Sequence, residues 1–305
     1  IAKKIWVYLK LTCGICRCSR HLVGKVVVVT GANVGIGFET ARDLADRGAR
    51  VILACRNEQR GIDARDRIIT LTGNKDVHFR RLDLASFASV RQFANEILQT
   101  ETKLHILINN AGLISDYVTT EDGLPLTIQA NHFGPFLLTT LLLPLLKSSA
   151  PSRIVNVSSA GYRRGKVDFQ NLKGEKDTKE TYGSFSAYTR SKLCNILMTV
   201  ELERRLRGTR VTANSLHPGA VNTDIIKEDG PNKYLLLLKP FFTYFLKTSW
   251  EGAQTTIYLA VSPDVEEVSG EYFSDCHKSV ATGEAQDKEL ARKLWDVSEE
   301  IVAMK

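Results

Sequence analysis

Residues 30–37 read Thr-Gly-Ala-Asn-Val-Gly-Ile-Gly and directly follow four consecutive valines at 26–29. A continuous β-branched run of this kind predicts a strand covered on both faces, as parallel sheets require. Phe38, Ala41 and Leu44 then recur at helical spacing. Glycines between a strand and a helix let the backbone turn sharply and approach a pyrophosphate, which the free N–H groups of the helix N-terminus bind. The segment therefore predicts a dinucleotide-binding loop rather than a simple tight turn, because the flanking strand and helix are both present.

From residue 25 onward, short β-branched runs alternate with longer amphipathic stretches, a pattern typical of a parallel sheet flanked by helices. The predicted strands cover residues 26–30, 50–54, 77–82, 104–109, 153–157 and 210–216, with a weaker candidate at 271–274. The 305 residues contain no internal repeat and no Pro/Gly/Ser-rich linker. We predict the α/β class, with a single doubly wound Rossmann domain and a seven-stranded parallel sheet at 25–305, after an N-terminal arm at 1–24.

Most of the net positive charge lies in and directly after the arm. The formal net charge is +7, and the first 25 residues carry six lysines and arginines with no aspartate or glutamate. The rest of the chain is therefore nearly balanced. Nucleic-acid binding needs basic residues clustered on the folded body, so we expect no nucleic-acid partner.

The arm also contains Cys13, Cys16 and Cys18, half of the six cysteines. It is too short and too charged to span a bilayer. Because the sequence lacks an initiator Met, we expect it to begin inside a longer protein, in which a hydrophobic anchor could precede the arm. Basic residues and cysteines after such an anchor favour the cytosolic face of a membrane. The alternative is a zinc site formed by Cys13, Cys16, Cys18 and His21. It is less favoured because natural zinc sites usually draw two of their ligands from a second, distant cluster. The other cysteines are scattered, which favours a reducing compartment.

The cofactor is indicated by the residues after the second predicted strand. An acidic side chain here would bind the ribose 2′-hydroxyl of NAD, whereas this chain has Cys55 followed by Arg56. Arginine suits a 2′-phosphate, so NADP(H) is favoured over the alternative of a solvated surface charge. Asp83, after the third strand, is predicted to bind the adenine amino group, the alternative being a helix N-cap.

Tyr188 and Lys192 are candidate catalytic residues. Because Tyr188 and Lys192 are four residues apart, a helix here would place their side chains on one face. A tyrosine hydroxyl ordinarily titrates near pH 10, so it needs a neighbouring cation to ionise readily near neutrality. We predict that Tyr188 is a general acid and base for interconverting an alcohol and a carbonyl compound, and that Lys192 lowers its pKa and binds the nicotinamide ribose.

Three motifs in order resemble the short-chain dehydrogenase/reductase family over about nine-tenths of the chain: the glycine loop at 30–37, Asn-Asn-Ala-Gly at 109–112, and Tyr188 with Lys192. Further stretches at 54–56, 131–136, 186–193 and 215–219 resemble the microsomal NADP-dependent retinol dehydrogenases.

The resemblance implies two more catalytic residues. Ser159 would bind the substrate oxygen, with Ser158 the competing serine, and Asn131 would hold water for a proton relay to Lys192. The alternatives are a strand-end turn for Ser159 and a helix-bending side chain for Asn131. Between Ser159 and Tyr188 lie 28 residues, more than in many members. The polar part, 167–186, is predicted to be a surface loop near the pocket.

The cofactor contacts predicted from the loop, the strand ends and the resemblance are Gly31, Asn33, Gly35, Ile36, Gly37, Arg56, Asp83, Leu84, Asn110, Ala111, Gly112, Tyr188, Lys192, Pro218, Gly219, Val221 and Thr223, and no metal ligand is predicted.

Residues 234–246 are rich in leucine and aromatic side chains and occupy the position where this fold usually covers its substrate. Such a cover implies a hydrophobic ligand or contact with a bilayer. It is too short to span a membrane, but it could lie in the interface with Lys239 and Lys247 reaching headgroups. The alternative is a core helix.

We predict an NADP(H)-dependent oxidoreductase that interconverts retinol and retinal or similar lipid substrates. The alternatives are a steroid or general carbonyl reductase and a non-catalytic NADP-binding sensor or scaffold. The expected partners are a lipophilic small molecule and a membrane surface, and a homo-oligomer is compatible with the sequence. The resemblance implies the endoplasmic reticulum, with the catalytic domain facing the cytosol.

Overall fold

The described residues form one eight-stranded sheet. In the computed structural model, which describes residues 13–221 and 246–303, the strands are β1 (Val26–Thr30), β2 (Arg50–Cys55), β3 (Val77–Arg81), β4 (Ile106–Asn109), β5 (Ser152–Val157), β6 (Val211–Leu216), β7 (Tyr272–Ser274) and β8 (His277–Ser279). Their order is β3-β2-β1-β4-β5-β6-β7-β8; β1 to β7 are parallel, and β8 is antiparallel to β7. The predicted α/β class is confirmed.

The predicted seven-stranded, wholly parallel sheet is wrong by one strand. β8 has only three residues, and two of them are exposed, so it lacks the apolar run that marks the other strands. The turn into β8 has positive φ at Asp275 (49°) and Cys276 (60°), as a two-residue hairpin turn of type I′ requires. Because Asp-Cys replaces the usual Asn-Gly or Asp-Gly, the sequence carries little signal for this hairpin.

The strands contribute to hydrophobic clusters on both faces of the sheet. Val27 and Val51 are neighbours in the β1–β2 register and belong to one cluster, whereas Val28 and Ile52 belong to the other. Since successive side chains of a strand point to opposite faces, a strand buried on both sides must be apolar throughout. This requirement explains the run of valines at 26–29.

Helices cover both faces: α1 (Gly35–Asp46), α2 (Glu58–Thr72), α3 (Phe87–Thr100), α4 (Gly134–Ser148), α5 (Ser184–Leu206), α6 (Ser249–Val261) and α7 (Lys288–Ala303). The buried side chains of α1, α2 and α6 belong to one cluster, and those of α3, α4, α5 and α7 belong to the other. A short turn (Leu126–Ile128) and a π-helical stretch (Gln129–Phe133) lead into α4, while 3-10 turns cover Ala160–Arg164, Pro263–Val265 and Gly283–Gln286.

Polar side chains fix where several helices begin. Asn57 accepts a hydrogen bond from the N–H of Arg60 at the start of α2, and Ser86 accepts one from Ser89 at the start of α3. Thr248 and Glu251 form a reciprocal capping box on α6. Asp83, for which a helix cap was the alternative role, is not the N-cap of α3.

The strand order places the candidate site. The chain builds outward from β1 to β3 and then returns to β4 on the other side of β1, so the order reverses between β1 and β4. In open α/β sheets, ligands bind outside the carboxyl ends of the strands at such a reversal. The residues that follow β1 and β4 are the glycine loop and the Asn-Asn-Ala-Gly turn.

The described part of the arm, residues 13–24, packs against the body. The guanidinium of Arg47 donates hydrogen bonds of 2.7 and 3.1 Å to the carbonyls of Cys18 and Arg20. The N–H of Cys16 donates to Oε1 of Gln254 in α6 at 3.1 Å. These contacts join the arm to α1 and α6. The division of the chain into an arm and a domain at residue 24 stays a prediction.

Within residues 13–221 and 246–303, no helix has the length and apolarity to cross a bilayer, and no three His, Cys, Asp or Glu side chains are grouped as metal ligands would be. The predicted cover at 234–246 lies outside the described residues except for Leu246.

The predicted loop at 167–186 is a loop as far as Gly183, after which α5 begins. Leu172 inserts into the core with 1% exposure. The guanidinium of Arg190 in α5 donates to the carbonyl of Asn171 at 3.0 Å and lies 3.7 Å from a carboxylate oxygen of Asp177. Arg190 therefore ties the insertion to the helix that carries Tyr188.

Candidate active site

The glycine loop folds tightly. Gly31 and Gly35 have φ of 64° and 62°, in the left-handed region that favours glycine. A Cβ on Gly37 would lie 2.3 Å from the carbonyl oxygen of Gly31 and 2.5 Å from Nδ2 of Asn110. The loop therefore closes on itself and on the turn after β4, and a side chain at Gly37 would force them apart.

The N-terminus of α1 is open to an anion. Val34 occupies the N-cap position, and no side chain caps the helix. The first N–H groups of a helix lack intrahelical partners and carry the positive end of its dipole. In a cleft bordered by glycines, these groups fit the pyrophosphate of a dinucleotide.

The end of β2 carries no carboxylate. Cys55 is buried, and burial raises the pKa of its thiol to about 11, so the side chain is uncharged near neutrality. Arg56 follows it, is exposed and lines the cleft. Near the end of β3, Oδ1 of Asp83 accepts a hydrogen bond of 2.9 Å from the N–H of Ala85. An arginine, and no carboxylate of β2, therefore borders this edge of the cleft.

Tyr188 and Lys192 lie one turn apart in the first half of α5, and both are buried. The ammonium of Lys192 is 5.7 Å from the ring centroid of Tyr188 and donates a hydrogen bond of 3.0 Å to the carbonyl of Val157. Burial lowers the pKa of Lys192 to about 8. The expected pair is therefore side by side at the end of β5.

The two serines after β5 have different partners. Burial raises the pKa of Tyr188, and a hydrogen bond with Ser159 partly offsets that shift. The hydroxyl of Ser158 instead donates to the carbonyl of Lys192 at 2.7 Å and is buried. Ser159 is thus the serine beside the tyrosine hydroxyl, and Ser158 supports the backbone of α5. The predicted lowering of the Tyr188 pKa by Lys192 stays a prediction.

Asn131 lies in the π-helical stretch before α4, fully buried. Its Oδ1 accepts from the N–H of Leu113 at 2.9 Å, and its Nδ2 donates to the carbonyl of Leu113 at 2.9 Å and to Oγ of Ser191 at 3.0 Å. Asn131 therefore joins α5 to the loop after Gly112, and π-helical bulges are frequent at functional sites. Its role in a proton relay stays a prediction.

Gly112 brings the main chain close to both polar groups. A Cβ there would lie 2.9 Å from Nζ of Lys192 and 3.6 Å from Oδ1 of Asn131. Asn131 and Lys192 therefore both approach Gly112, which lines the cleft.

A cleft of about 470 Å³ runs along the carboxyl ends of the strands. Fourteen of the predicted cofactor residues line it: Gly31, Asn33, Gly35, Ile36, Gly37, Arg56, Asp83, Leu84, Asn110, Ala111, Gly112, Tyr188, Lys192 and Pro218. Ser159 and Asn131 do not line it but contact Tyr188 and Leu113, which do. Together, the glycine turns, the uncapped helix and the cation after β2 fit a nicotinamide dinucleotide.

The remaining predicted residues follow β6. A Cβ on Gly252 would contact side-chain atoms of both Val221 and Ile36, so Val221 lies near the glycine loop. Val221 also pairs with Lys247, the point where the chain returns to the described residues. Gly219 has φ of 87° beside the Lys247 side chain. Thr223 lies outside the described residues.

Sequence reasoning missed several residues of the cleft wall: Leu113, Ile114, Ala130 and Ser249. Leu113 and Ile114 directly continue the Asn-Asn-Ala-Gly turn, so their apolar character was a usable signal. Ser249 begins α6, far along the chain, and only the tertiary fold brings it to the cleft.

Comparison with known proteins identifies the class to which this fold and site belong. The family model described as short chain dehydrogenase matches residues 25–170. Human Retinol dehydrogenase 11 is 48% identical over 295 residues, covering 96% of this chain and 91% of the relative. The chain therefore belongs to the short chain dehydrogenase family and is an oxidoreductase.

Two further relatives refine the comparison. Bovine Retinol dehydrogenase 12 is 47% identical over 293 residues, covering 96% of this chain and 90% of the relative. An Escherichia coli protein described as a short chain dehydrogenase, solved complexed with NADPH, superposes with a TM-score of 0.65 at 26% identity, covering 85% of this chain and 99% of that protein. Within its family, the chain is thus similar to retinol dehydrogenases along nearly its whole length.

Proposed function

We propose that this chain is an NADP(H)-dependent oxidoreductase that interconverts retinol and retinal, or closely similar lipid alcohols and aldehydes. The observation that carries the proposal is the meeting of Tyr188 with Ser159 and Lys192 at the dinucleotide cleft. The substrate class is supported by the names of the relatives, Retinol dehydrogenase 11 and 12.

In the reductive direction, Tyr188 acts as the general acid. Its hydroxyl donates a proton to the carbonyl oxygen of the aldehyde, while the hydroxyl of Ser159 donates a hydrogen bond to the same oxygen. NADPH, when bound, supplies the hydride that the carbonyl carbon accepts. One hydride and one proton convert the aldehyde into the alcohol, and in oxidation Tyr188 takes the proton back.

Lys192 stabilises the phenolate that Tyr188 leaves after giving up its proton. A cation near a developing anion acts strongly in a buried site, where the effective dielectric constant is low. With a pKa of about 8, Lys192 is mostly protonated near neutrality. Of the three N–H donors on its ammonium, one is used by Val157, which leaves two for the nicotinamide ribose and the phenolic oxygen.

The preference for NADP(H) is supported by Arg56 and by the absence of a carboxylate at the end of β2. An arginine forms charge-assisted, frequently bidentate bonds with a phosphate, which a ribose hydroxyl cannot match.

We also propose that the enzyme works at a membrane surface, at the endoplasmic reticulum with its catalytic domain facing the cytosol. A lipophilic substrate partitions into a bilayer, and the apolar segment at 234–246 would meet it there.

The test is a kinetic panel on the full chain in detergent micelles. We expect kcat/KM with all-trans-retinal to exceed that with a steroid ketone, and NADPH to be preferred over NADH. Tyr188→Phe should abolish turnover, while the matched control Tyr258→Phe, a half-buried tyrosine of α6 outside the cleft, should retain it. A steroid preference would support the carbonyl reductase. Absence of turnover in the wild type, with NADPH still bound, would support a sensor or scaffold.

A further inference from the structure

We propose that Arg81, the last residue of β3, is a second specificity-determining residue that binds the 2′-phosphate of NADP(H) together with Arg56. The assignment rests on the proposed function, since it requires that the cofactor carry a 2′-phosphate.

The register makes Arg81 a neighbour of Arg56. Cys55 in β2 pairs with Arg81 in β3, and Arg56 is the next residue after Cys55. The N–H of Leu82 donates to the carbonyl of Cys55 at 3.0 Å, so the two strand ends stay joined beyond the last pair. Adjacent strands are about 5 Å apart, which puts both long side chains within reach of one phosphate.

The two guanidinium groups are both without protein partners in the described part of the chain. Neither Arg56 nor Arg81 forms an ion pair or a side-chain hydrogen bond there, and both are exposed. At the opposite end of β2, by contrast, Arg50 is bound by Glu101 and Asp76. Two unpaired cations at adjacent strand ends repel each other, and a dianionic phosphate between them removes that repulsion.

The face of the sheet on which Arg81 lies is the one that leads to the start of α2. Phe79, two residues earlier and therefore on the same face, packs on Gly61 in the first turn of α2, where a Cβ would lie 2.3 Å from its ring. Arg81 is thus further along the strand, at the level where α2 begins and Arg56 leaves β2. Arg80 points to the opposite face.

The clefts connect the two arginines. Arg81 also borders a groove of about 530 Å³ whose other walls include Gln92 and Glu96 of α3, and Arg56 lines the cofactor cleft. The groove and the cleft share Asp83 and Ala85 as wall residues. A ligand that occupies the adenosine end of the cofactor cleft therefore borders the groove of Arg81. The carboxylate of Asp83 accepts a bond from Ala85 within its own loop.

The test measures binding rather than turnover. The dissociation constants of 2′,5′-ADP and 5′-AMP, which differ only in the 2′-phosphate, are measured by calorimetry on the wild type and on Arg81→Gln, Arg56→Gln and Arg80→Gln. Arg80→Gln is the matched control, because it removes the same charge one residue away on the other face. Each variant is checked for an unchanged melting temperature.

We expect the wild type to bind 2′,5′-ADP at least about ten-fold more tightly than 5′-AMP, since charge-assisted bonds are worth about one to two powers of ten in affinity. Arg81→Gln should lose about ten-fold in affinity for 2′,5′-ADP with little change for 5′-AMP, and Arg80→Gln should match the wild type. If Arg81→Gln keeps the wild-type ratio, or loses no more than Arg80→Gln, the assignment is overturned while the NADP(H) proposal stands. If the wild type itself binds both nucleotides equally, the NADP(H) proposal fails, and this inference fails with it.

Discussion

The ammonium of Lys192 donates a hydrogen bond of 3.0 Å to the main-chain carbonyl of Val157, the last residue of β5. This bond holds a buried cation at the carboxyl end of the sheet, one helical turn from Tyr188. Because burial disfavours the charged form, the pKa of Lys192 falls from 10.5 to about 8. A buried cation that is needed for chemistry carries a stability cost.

Replacing Lys192 with methionine should stabilise the cofactor-free protein while abolishing turnover. Between the folded pKa and the unfolded pKa the unfolded chain binds more protons, so wild-type stability rises with pH in that window, and the penalty is fully present below it. The full penalty is about 3 kcal/mol, and loss of the bond to Val157 offsets part of it, so we expect a net gain of about 1–2 kcal/mol near pH 7. The measurement is the free energy of unfolding in denaturant.

The pH dependence provides the control for this prediction. The stability difference between Lys192→Met and the wild type should shrink as pH rises from neutrality to about 9.5. A gain of the same size at every pH would show that improved packing, rather than removal of the charge, is responsible.

The two adjacent serines should separate catalysis from stability. Ser159→Ala removes the hydroxyl beside Tyr188, so we expect kcat to fall about 100-fold or more, with a near-normal melting temperature. Ser158→Ala removes a buried bond to the carbonyl of Lys192, so we expect about 1 kcal/mol of lost stability and a smaller loss of kcat. Steady-state kinetics and thermal melts on both variants provide the comparison. A larger kcat loss for Ser158→Ala would reverse the assignment.

Asp177→Asn should destabilise the fold through the insertion. It leaves the guanidinium of Arg190, which is 11% exposed, without its carboxylate. Breaking a buried pair from one side is costly; at a separation of 3.7 Å we expect about 2 kcal/mol of lost unfolding free energy. The matched control is Lys176→Met, which breaks an exposed pair with Asp168 in the same insertion and should change stability by less than about 0.5 kcal/mol. Equal effects of the two variants would mean that the Arg190 pair has no special role.

Asp275→Asn should raise KM for the aldehyde several-fold. The carboxylate of Asp275 binds the ammonium of Lys247 and also accepts the N–H of Gly14, so it ties the arm to the point where the chain returns from the segment 222–245. Weakening that anchor should loosen the apolar segment proposed to cover the substrate. Glu271→Gln, which breaks an exposed pair with Lys278, is the control and should leave KM unchanged. If KM is also unchanged in Asp275→Asn, the contacts of Asp275 with Lys247 and Gly14 have no role in substrate binding.

Local pattern predicted the centre of the fold well. The valines at 26–29 and the glycines that follow determine a buried strand and a turn by steric requirements within the segment itself, and β1 begins and ends where the pattern indicates. β8 was missed because the turn before it requires positive φ at Asp275 and Cys276, and neither position is a glycine that would indicate such a turn.

The site was predictable where one segment carries the chemistry. Tyr188 and Lys192 are brought together by a single helix, so their spacing was enough. The partner of the Ser158 hydroxyl and the placement of Arg81 beside Arg56 depend on strand register and on contacts between distant segments, which a single sequence does not display. Asn131 was named only through the family resemblance, because a buried asparagine has many structural uses.

The most direct test of the central claim measures hydride transfer from the cofactor to the substrate and the dependence of that transfer on Tyr188. The full chain is incubated with all-trans-retinal and NADPH carrying deuterium at the transferable position, and the products are analysed by mass spectrometry for the wild type, Tyr188→Phe and Tyr258→Phe. The account predicts retinol carrying one deuterium from the wild type and from Tyr258→Phe, and none from Tyr188→Phe. Unlabelled retinol from the wild type, or equal deuterated product from Tyr188→Phe, would contradict it.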